Sequence, residues 1–356
     1  MEKILDQDLV NEFRGRAMTD SGAAMLALTV SIGARAGLYE AMAGAGPLTA
    51  HQLTERAGLS ERYVKEWLDA QTAWEYVRYS TEDGTYLLPD EHAAVLADPD
   101  SPAYAIGAFA MLNPLYAAED VLLDAYKTGE GVGWEEYGPR LQSGVASFFY
   151  PGYASMLVQS WIPAMDGLVA KLEKGAFVAD VGCGFGHSTL LMAKAYPNST
   201  FRGFDFHGPS IEAARQLAQE QGLSDRVSFD IATAQDFPAH AGGYDLITFF
   251  DCLHDLGDPG LALRRASGAL ADDGSCLIVE PNASANPVEN INLVGRRFAA
   301  SSVSLCLPVA IAQHGQYALG SHGGEEVMRR IAEEAGLSDW RLATETPVNR
   351  IYQVKR

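Results

Sequence analysis

Basic residues are scarce in this chain of 356. Lysine and arginine together number 26 against 46 aspartates and glutamates, a formal net charge of −20. Phosphate neutralisation takes clustered Lys and Arg, so this balance speaks against nucleic acid and anionic membrane surfaces as partners. Cysteine is sparse as well, with four residues at 183, 252, 276 and 306 and no CxxC pair. That spacing suggests neither a disulfide framework nor a zinc site, and free thiols fit a reducing, cytoplasmic interior. Long apolar runs are missing too. The longest weakly polar stretch, Ala23 to Ala34, reads as too short and too rich in Ser, Thr and Gly to span a bilayer. The opening MEKILDQDLVNEF lacks the basic-then-apolar pattern of a leader. No low-complexity tract or internal repeat stands out. The composition is that of a globular protein, 47% hydrophobic and 20% charged, long enough for two domains with cores of their own.

The two halves follow different patterns. From about 166 onward, apolar runs at Ala176–Val181, Thr200–Asp205, Arg226–Ile231, Tyr244–Phe250 and Ser275–Glu280 alternate with segments of helical composition. That alternation predicts βαβ units and a parallel sheet. A helix over Gly324–Gly336 should follow, then DWRLATE and NRIYQVK as an antiparallel pair of strands at one sheet edge. The first half predicts a long helix from about Leu9 to Ala43. After it, Thr49 and Ser60 are set to cap two helices, with Gly58 ending the first of them. Runs at Tyr76–Tyr79 and Thr85–Leu88 flank EDG, a hairpin signal, and together these elements have the order of a winged helix. The boundaries expected are 1–102 for this domain, 103–165 for an aromatic-rich helical linker, and 166–356 for the α/β domain.

At the first strand of the α/β half stands FVADVGCGFGHSTL, with glycines at 182, 184 and 186. Without a Cβ, glycine lets a ligand lie against the backbone, and the helix that follows points free N–H groups at it. The spacing is G-x-G-x-G rather than the G-x-G-x-x-G of dinucleotide binders. Asp205 ends the second strand, 19 residues past Gly186, where an ionised carboxylate can accept both vicinal hydroxyls of a ribose. Taken singly, Gly182 reads as a tight turn and Asp205 as a helix cap. In register with five strand signals they point to a nucleoside ligand at the switch point of the sheet.

VADVGCGFG resembles motif I of the class I S-adenosylmethionine-dependent methyltransferases, and the resemblance runs over about 166–356. It implies a seven-stranded Rossmann-like α/β sheet, S-adenosylmethionine as cofactor with its methionyl part along Gly182–Gly186, Asp180 at that end, and Asp205 on the ribose. Phe206 would belong to the same pocket. The acidic residue the family carries near the adenine is missing from FDIATAQDFP, which leaves Thr233, the Ala234 backbone or Gln235 for that contact. In FFDCLHDLGDP, Phe250 and Asp251 would leave the fourth strand beside the cofactor. With a winged-helix domain ahead of the sheet, the whole chain looks like the two-domain small-molecule O-methyltransferases, which implies a homodimer and a small-molecule acceptor. In that group a histidine of an LHDW motif is the general base. Leu253-His254-Asp255-Leu256 stands in that place, with leucine instead of the aromatic.

The reaction the resemblance implies is in-line displacement at an already activated methyl, which asks for alignment, exclusion of water and, for a phenol or alcohol, loss of a proton. Histidine titrates near the working pH, which makes His254 the candidate base. Asp255 is expected to point elsewhere, and Glu280, ending the fifth strand, to orient His254 or bind the acceptor. The plainer alternative is a histidine packed at the sheet edge beside a capping aspartate. His187, His314 and His322 read as loop or cap residues. FAMLNPLY (109–116), SFFYPGYASM (147–156) and the run Val288, Ile291, Val294 and Phe298 are candidate walls of a lipophilic pocket, or ordinary core. No set of His, Cys, Asp and Glu has metal-ligand spacing. Thiol and amine acceptors stay open, as does a ligand-sensing regulator. Against the regulator, Pro47–Asp98 holds 4 Lys or Arg and 10 Asp or Glu.

Overall fold

The computed structural model describes residues 5–356 and divides into two compact units, 1–114 with 143–151, and 115–142 with 152–356. In the first unit, helix α1 (Gln7–Arg35) begins at Asp6, whose Oδ1 accepts from the Asp8 and Leu9 N–H groups. Helix α2 (Leu38–Met42) follows a left-handed Gly37. Helix α3 (Ala50–Ala57) carries a capping box between Thr49 and Gln52 and stops at Gly58, φ 65°. Ser60 stands at the N-cap of α4 (Glu61–Ala73) without accepting a hydrogen bond, so only one of the two expected caps forms. Strands β1 (Arg78–Ser80) and β2 (Thr85–Leu87) pair antiparallel around Gly84, and helix α5 (Asp90–Leu96) closes the winged-helix order.

Val30, Tyr39, Leu53, Trp67, Leu68 and Tyr86 form this unit's core. Its tightest crossing is at Gly33, where an added Cβ would lie 2.4 Å from the Trp67 ring. Gln71, fully buried there, accepts from the Tyr39 hydroxyl and donates to Thr29.

The second unit is built on a seven-stranded sheet in the order β5-β4-β3-β6-β7-β9-β8. Its members are β3 (Phe177–Val181), β4 (Thr200–Asp205), β5 (Val227–Ile231), β6 (Tyr244–Phe250), β7 (Leu270–Pro281), β8 (Asp339–Glu345) and β9 (Asn349–Lys355). The first five run parallel and the last two form the antiparallel edge, as the alternation of apolar runs predicts. Both faces are covered, which is why these strands read as continuous apolar runs. Val178, Leu246 and Leu277 face one core, and Ala179, Ile247 and Ile278 face the other.

Two expectations need correcting. The linker does not form one block over 103–165. The helix at 106–110 is pressed against 147–148, where a Cβ on Gly107 would sit 2.3 Å from the Phe148 nitrogen, so both belong to the first unit. Leu157, Trp161, Ile162 and Met165 instead enter a core of the sheet. Nor do the helices stay within the short run read from sequence. Gln7–Arg35 and the continuous helical stretch Leu293–Ala312 are both long and apolar enough to cross a membrane by length and composition. In the second of these Phe298, Leu305, Cys306, Val309 and Ala310 are buried in the protein.

Candidate active site

The crevice lies at the carboxyl ends of β3, β4 and β6, where the strand order reverses. Gly182, Gly184 and Gly186 all have positive φ, at 74°, 51° and 75°. At two of them space is decisive as well. A Cβ on Gly182 would meet the Cys252 sulfur at 2.8 Å, and one on Gly186 the Phe229 ring at 2.5 Å. At Gly184 it would meet nothing within 4 Å, so here the backbone itself faces open space.

Asp180 sits behind this loop, 1% exposed. Its Oδ2 accepts from the hydroxyls of Ser188 (2.7 Å) and Thr189 (2.5 Å), its Oδ1 from Thr248 (2.8 Å). Burial pushes its pKa up against those three hydrogen bonds. The carboxylate thus ties β3 to the helix His187–Ala195 and to β6, and it acts on the loop from behind. Asp205 is more open. Its Oδ2 accepts from the Gly184 N–H (2.9 Å) and its Oδ1 from the His207 N–H (2.8 Å), which leaves lone pairs on both oxygens. Burial raises its pKa as well.

Phe206 follows, 47% exposed, and Ile231 at the end of the neighbouring β5 is 60% exposed. Two bare apolar side chains on adjacent strand ends offer a surface for a flat ring, and reading Ile231 as an interior strand position hides it. The Thr233 hydroxyl donates to Asp236 (2.6 Å) and its N–H to the same oxygen (2.9 Å), so this side chain closes its own turn. Ala234 packs toward a core of the sheet.

Beyond β6 the backbone turns left-handed at Asp251, φ 49°. Its Oδ2 accepts from the Tyr153 hydroxyl (3.1 Å) and its Oδ1 from the Asn349 amide (2.7 Å). Phe250, 6% exposed, packs under the Tyr153 ring at 5.4 Å between centroids. Leu253–Asp255 then forms one 3-10 turn.

His254 is 5% exposed, with Nδ1 2.7 Å from Glu280 Oε2. The other Glu280 oxygen accepts from the Leu253 N–H (3.2 Å), which locks the carboxylate in place. Contrary to the sequence reading, Asp255 does not point away. The tight turn brings its Oδ1 to 3.2 Å from His254 Nε2, an ion-pair contact, while Asp258 caps the next helix through the Leu261 N–H. Burial disfavours the imidazolium. The Asp255 and Glu280 carboxylates, with hydrogen bonds from the ring to Cys306 and Glu280, outweigh it and hold the His254 pKa well above its ordinary value. Burial, helped by Asp255, pushes the Cys306 thiol up to about 12. Sequence spacing gave no hint of this cluster, in which ligand-capable atoms of His254, Asp255 and Cys306 lie within 4.8 Å of one another. In it Asp255 Oδ1 is buried, with the ion pair to His254 as its contact and no hydrogen-bond partner.

A small cleft of about 30 Å³ lies beside the pair, lined among others by His254, Glu280, Leu319, Glu325, Met328 and Arg350. The glycine-rich connection predicted to lie on the ligand side does contribute, through Leu319–Ser321 and Gly323–Gly324. His322 is half-buried with an unbonded Nδ1 and lies outside that lining, and His314 is exposed. His187 is half-buried, and its pKa is lowered by burial. Of the suggested pocket walls, Tyr153 and Met156 pack on a core of the sheet, Val288 and Ile291 are exposed, and Phe298 is buried.

Comparison with known proteins bears on both halves. Residues 24–98 match the Rv2258c-like winged helix-turn-helix domain, and residues 172–336 match a methyltransferase domain. Ajmaline N-methyltransferase of Rauvolfia serpentina is 33% identical over 107 residues, covering 30% of this chain and 36% of the relative. The alignment thus spans about a third of that protein's length. Among solved structures, PigF with S-adenosylhomocysteine is similar with a TM-score of 0.71 at 18% identity, covering 99% of this chain and all of that one. Human N-acetylserotonin methyltransferase in complex with S-adenosylmethionine has a TM-score of 0.70 at 17% identity, over 100% and 99% of the two chains. At such identity these two likenesses establish the fold from end to end.

Proposed function

We propose that this chain, whose winged helix-turn-helix and methyltransferase domains are those of a two-domain class I methyltransferase, transfers a methyl group from S-adenosylmethionine to the oxygen of a small aromatic or lipophilic acceptor. The observation that carries the reading is the buried His254–Glu280 pair, 2.7 Å apart, on the turn that leaves β6 beside the glycine loop.

The residues of the crevice fit the cofactor. Gly184 leaves open space where a side chain would stand, and Asp205 keeps free lone pairs for the ribose hydroxyls. Phe206 and Ile231 offer apolar surface to the adenine. Bound there, S-adenosylmethionine supplies a methyl group already activated on a sulfonium. The chain's own part is to align the acceptor, exclude water and take up a proton. Glu280 holds Nδ1 at 2.7 Å, and Nε2, which Asp255 approaches less closely at 3.2 Å, is the nitrogen assigned to take the acceptor's proton, with Asp255 stabilising the imidazolium that results. Two carboxylates that favour the imidazolium make His254 a stronger base and also keep it protonated at rest. Activity therefore rises with pH as the ring loses its proton, along a limb above the ordinary histidine value.

The winged helix is read as a scaffold. In α4, Arg62 is paired with Glu66 and Lys65 with Asp69, so its cations are balanced where DNA phosphates would need them free. The exposed apolar residues of α1, among them Leu9, Phe13 and Met25, are suited to a second copy of the chain and support a homodimer. Four free cysteines are in keeping with a cytoplasmic setting.

The test is transfer of isotope-labelled methyl from S-adenosylmethionine to a panel of phenols, amines and thiols, with light scattering for the oligomer. Labelled phenol ethers are the expected product. Label only on amines or thiols would keep the methyltransferase and remove the base, and no label on any acceptor would contradict the reading.

A further inference from the structure

Asp251 is the carboxylate of the crevice that the proposed reaction leaves without a task. It ends β6 in a left-handed conformation that side chains other than glycine rarely adopt, although Asp and Asn tolerate it best. Its N–H donates to the Val279 carbonyl at 2.8 Å, and this holds the turn. Two donors from separate elements grip the carboxylate, Tyr153 from the helical segment before the sheet and Asn349 from the first position of β9. Both donors are neutral. The His254 imidazolium, the nearby cation, is already paired with Asp255 and Glu280, so a buried charge on Asp251 is under-compensated, and a cation is the ligand that such a site favours.

The position says which cation. Cys252, the next residue, packs against Gly182, and His254 stands three residues on. Asp251 therefore stands one residue from the side chain that packs on the loop proposed for the methionyl part, and three residues from the group proposed to receive the acceptor's proton.

Resting on the cofactor reading above, we infer that Asp251, gripped by Tyr153 and Asn349, is the counter-ion of the cofactor's sulfonium. It thereby makes the site prefer the charged cofactor over its neutral thioether product.

The electrostatics are consistent with this. Burial is the main cause that raises the Asp251 pKa, to about 8, with Glu280 on β7 adding to it. His254 on the 3-10 turn lowers it, as do the hydrogen bonds from Tyr153 and Asn349. The free protein thus holds Asp251 largely protonated at neutral pH. A cation beside it favours the ionised form, so binding of the charged ligand releases a proton, and binding of the neutral one does not. Affinity for S-adenosylmethionine relative to S-adenosylhomocysteine must then rise with pH through about 8. The α-ammonium titrates at lower pH in the sulfonium ligand than in the thioether, so the trend is read against Asp251→Asn, in which that contribution is the same.

Calorimetric titration of the full-length protein with each ligand at pH 7 and pH 9 reads this directly. In the wild type the preference for the charged ligand should grow about tenfold more between the two than in Asp251→Asn, because one pKa unit on either side of the midpoint takes the carboxylate from mostly protonated to mostly ionised. In Asp251→Asn, isosteric and tolerant of the same backbone, the preference at pH 9 should fall by about tenfold and lose the part of its pH dependence that Asp251 supplies. An unchanged preference in the variant, or equal weakening of both ligands, would overturn the inference while leaving the cofactor reading intact. Failure of the wild type to bind either ligand would remove both. Should Asp251→Asn not fold, Tyr153→Phe takes its place. Loss of one donor to the ionised form should move the pH at which the preference appears upward, and no movement would count against the inference.

Discussion

At the end of β3, Asp180 accepts three hydroxyl hydrogen bonds, and Asp205 at the end of β4 accepts two backbone N–H groups. Around the ends of β6 and β7, Glu280 and Asp255 instead face an imidazole, Asp251 is held by a tyrosine and an amide, and a buried thiol joins the group. On the first side each carboxylate is fixed by groups that do not titrate, so its role is to hold backbone in place. On the second side ionisable groups set one another's charge, so removing any one changes the others. The glycine-loop side should accordingly respond to substitution as a matter of space and backbone, and the β6–β7 side as a matter of protonation.

The largest effect expected is from His254→Ala. Removing the base should lower phenol methylation by about a hundred- to ten-thousand-fold. Affinity for S-adenosylhomocysteine, which carries no sulfonium and so does not read the charge on Asp251, should move less than about threefold by calorimetry, since the Asp180 and Asp205 hydrogen bonds are untouched. Parallel loss of affinity and rate would show that the two sides are not separable.

Gly186→Ala probes the other side. A side chain at φ 75° that also meets the Phe229 ring at 2.5 Å should cost about 2–4 kcal/mol of stability, read from the denaturant midpoint. Gly184→Ala, strained at φ 51° but facing open space, should cost about 1–2 kcal/mol. Equal costs would mean that backbone strain, rather than close packing, governs the loop.

The smallest effect belongs to the winged helix. Thr49→Ala removes the α3 capping box and should cost about 1 kcal/mol, with kcat/KM unchanged. A change in kcat/KM would give this domain a part in the chemistry that its residues do not suggest.

The glycine-loop side was the more legible in the sequence, for a physical reason. Its determinants are local: glycines that free the backbone, apolar runs buried on both faces, a carboxylate at a strand end. The strands β4, β6, β8 and β9 fall where composition places them. The β6–β7 side was legible only in its members. His254 and Glu280 could be named from their strand ends, but Tyr153, Asn349 and Cys306 come from segments about 100 residues before and about 50 to 100 after, and no periodicity links them. Asp255 was misread because neighbours in sequence were assumed to diverge, whereas the 3-10 turn carries its carboxylate back to the ring. The linker was misplaced for a similar reason. Its helices look alike in composition, and their division is decided by close backbone contacts such as that at Gly107.

The claim that the two carboxylates tune His254 is tested most directly by the pH dependence of kcat/KM in the wild type and in Glu280→Gln, with an acceptor that does not itself titrate between pH 6 and 9. His254 must be neutral to accept a proton, and nearby negative charge raises its pKa. The wild-type rate should therefore climb along a limb above the ordinary histidine value of about 6.5. In Glu280→Gln that limb should move to lower pH by about one unit, with a lower plateau as the ring loses its orienting carboxylate. A limb at the same pH in both proteins would contradict the account.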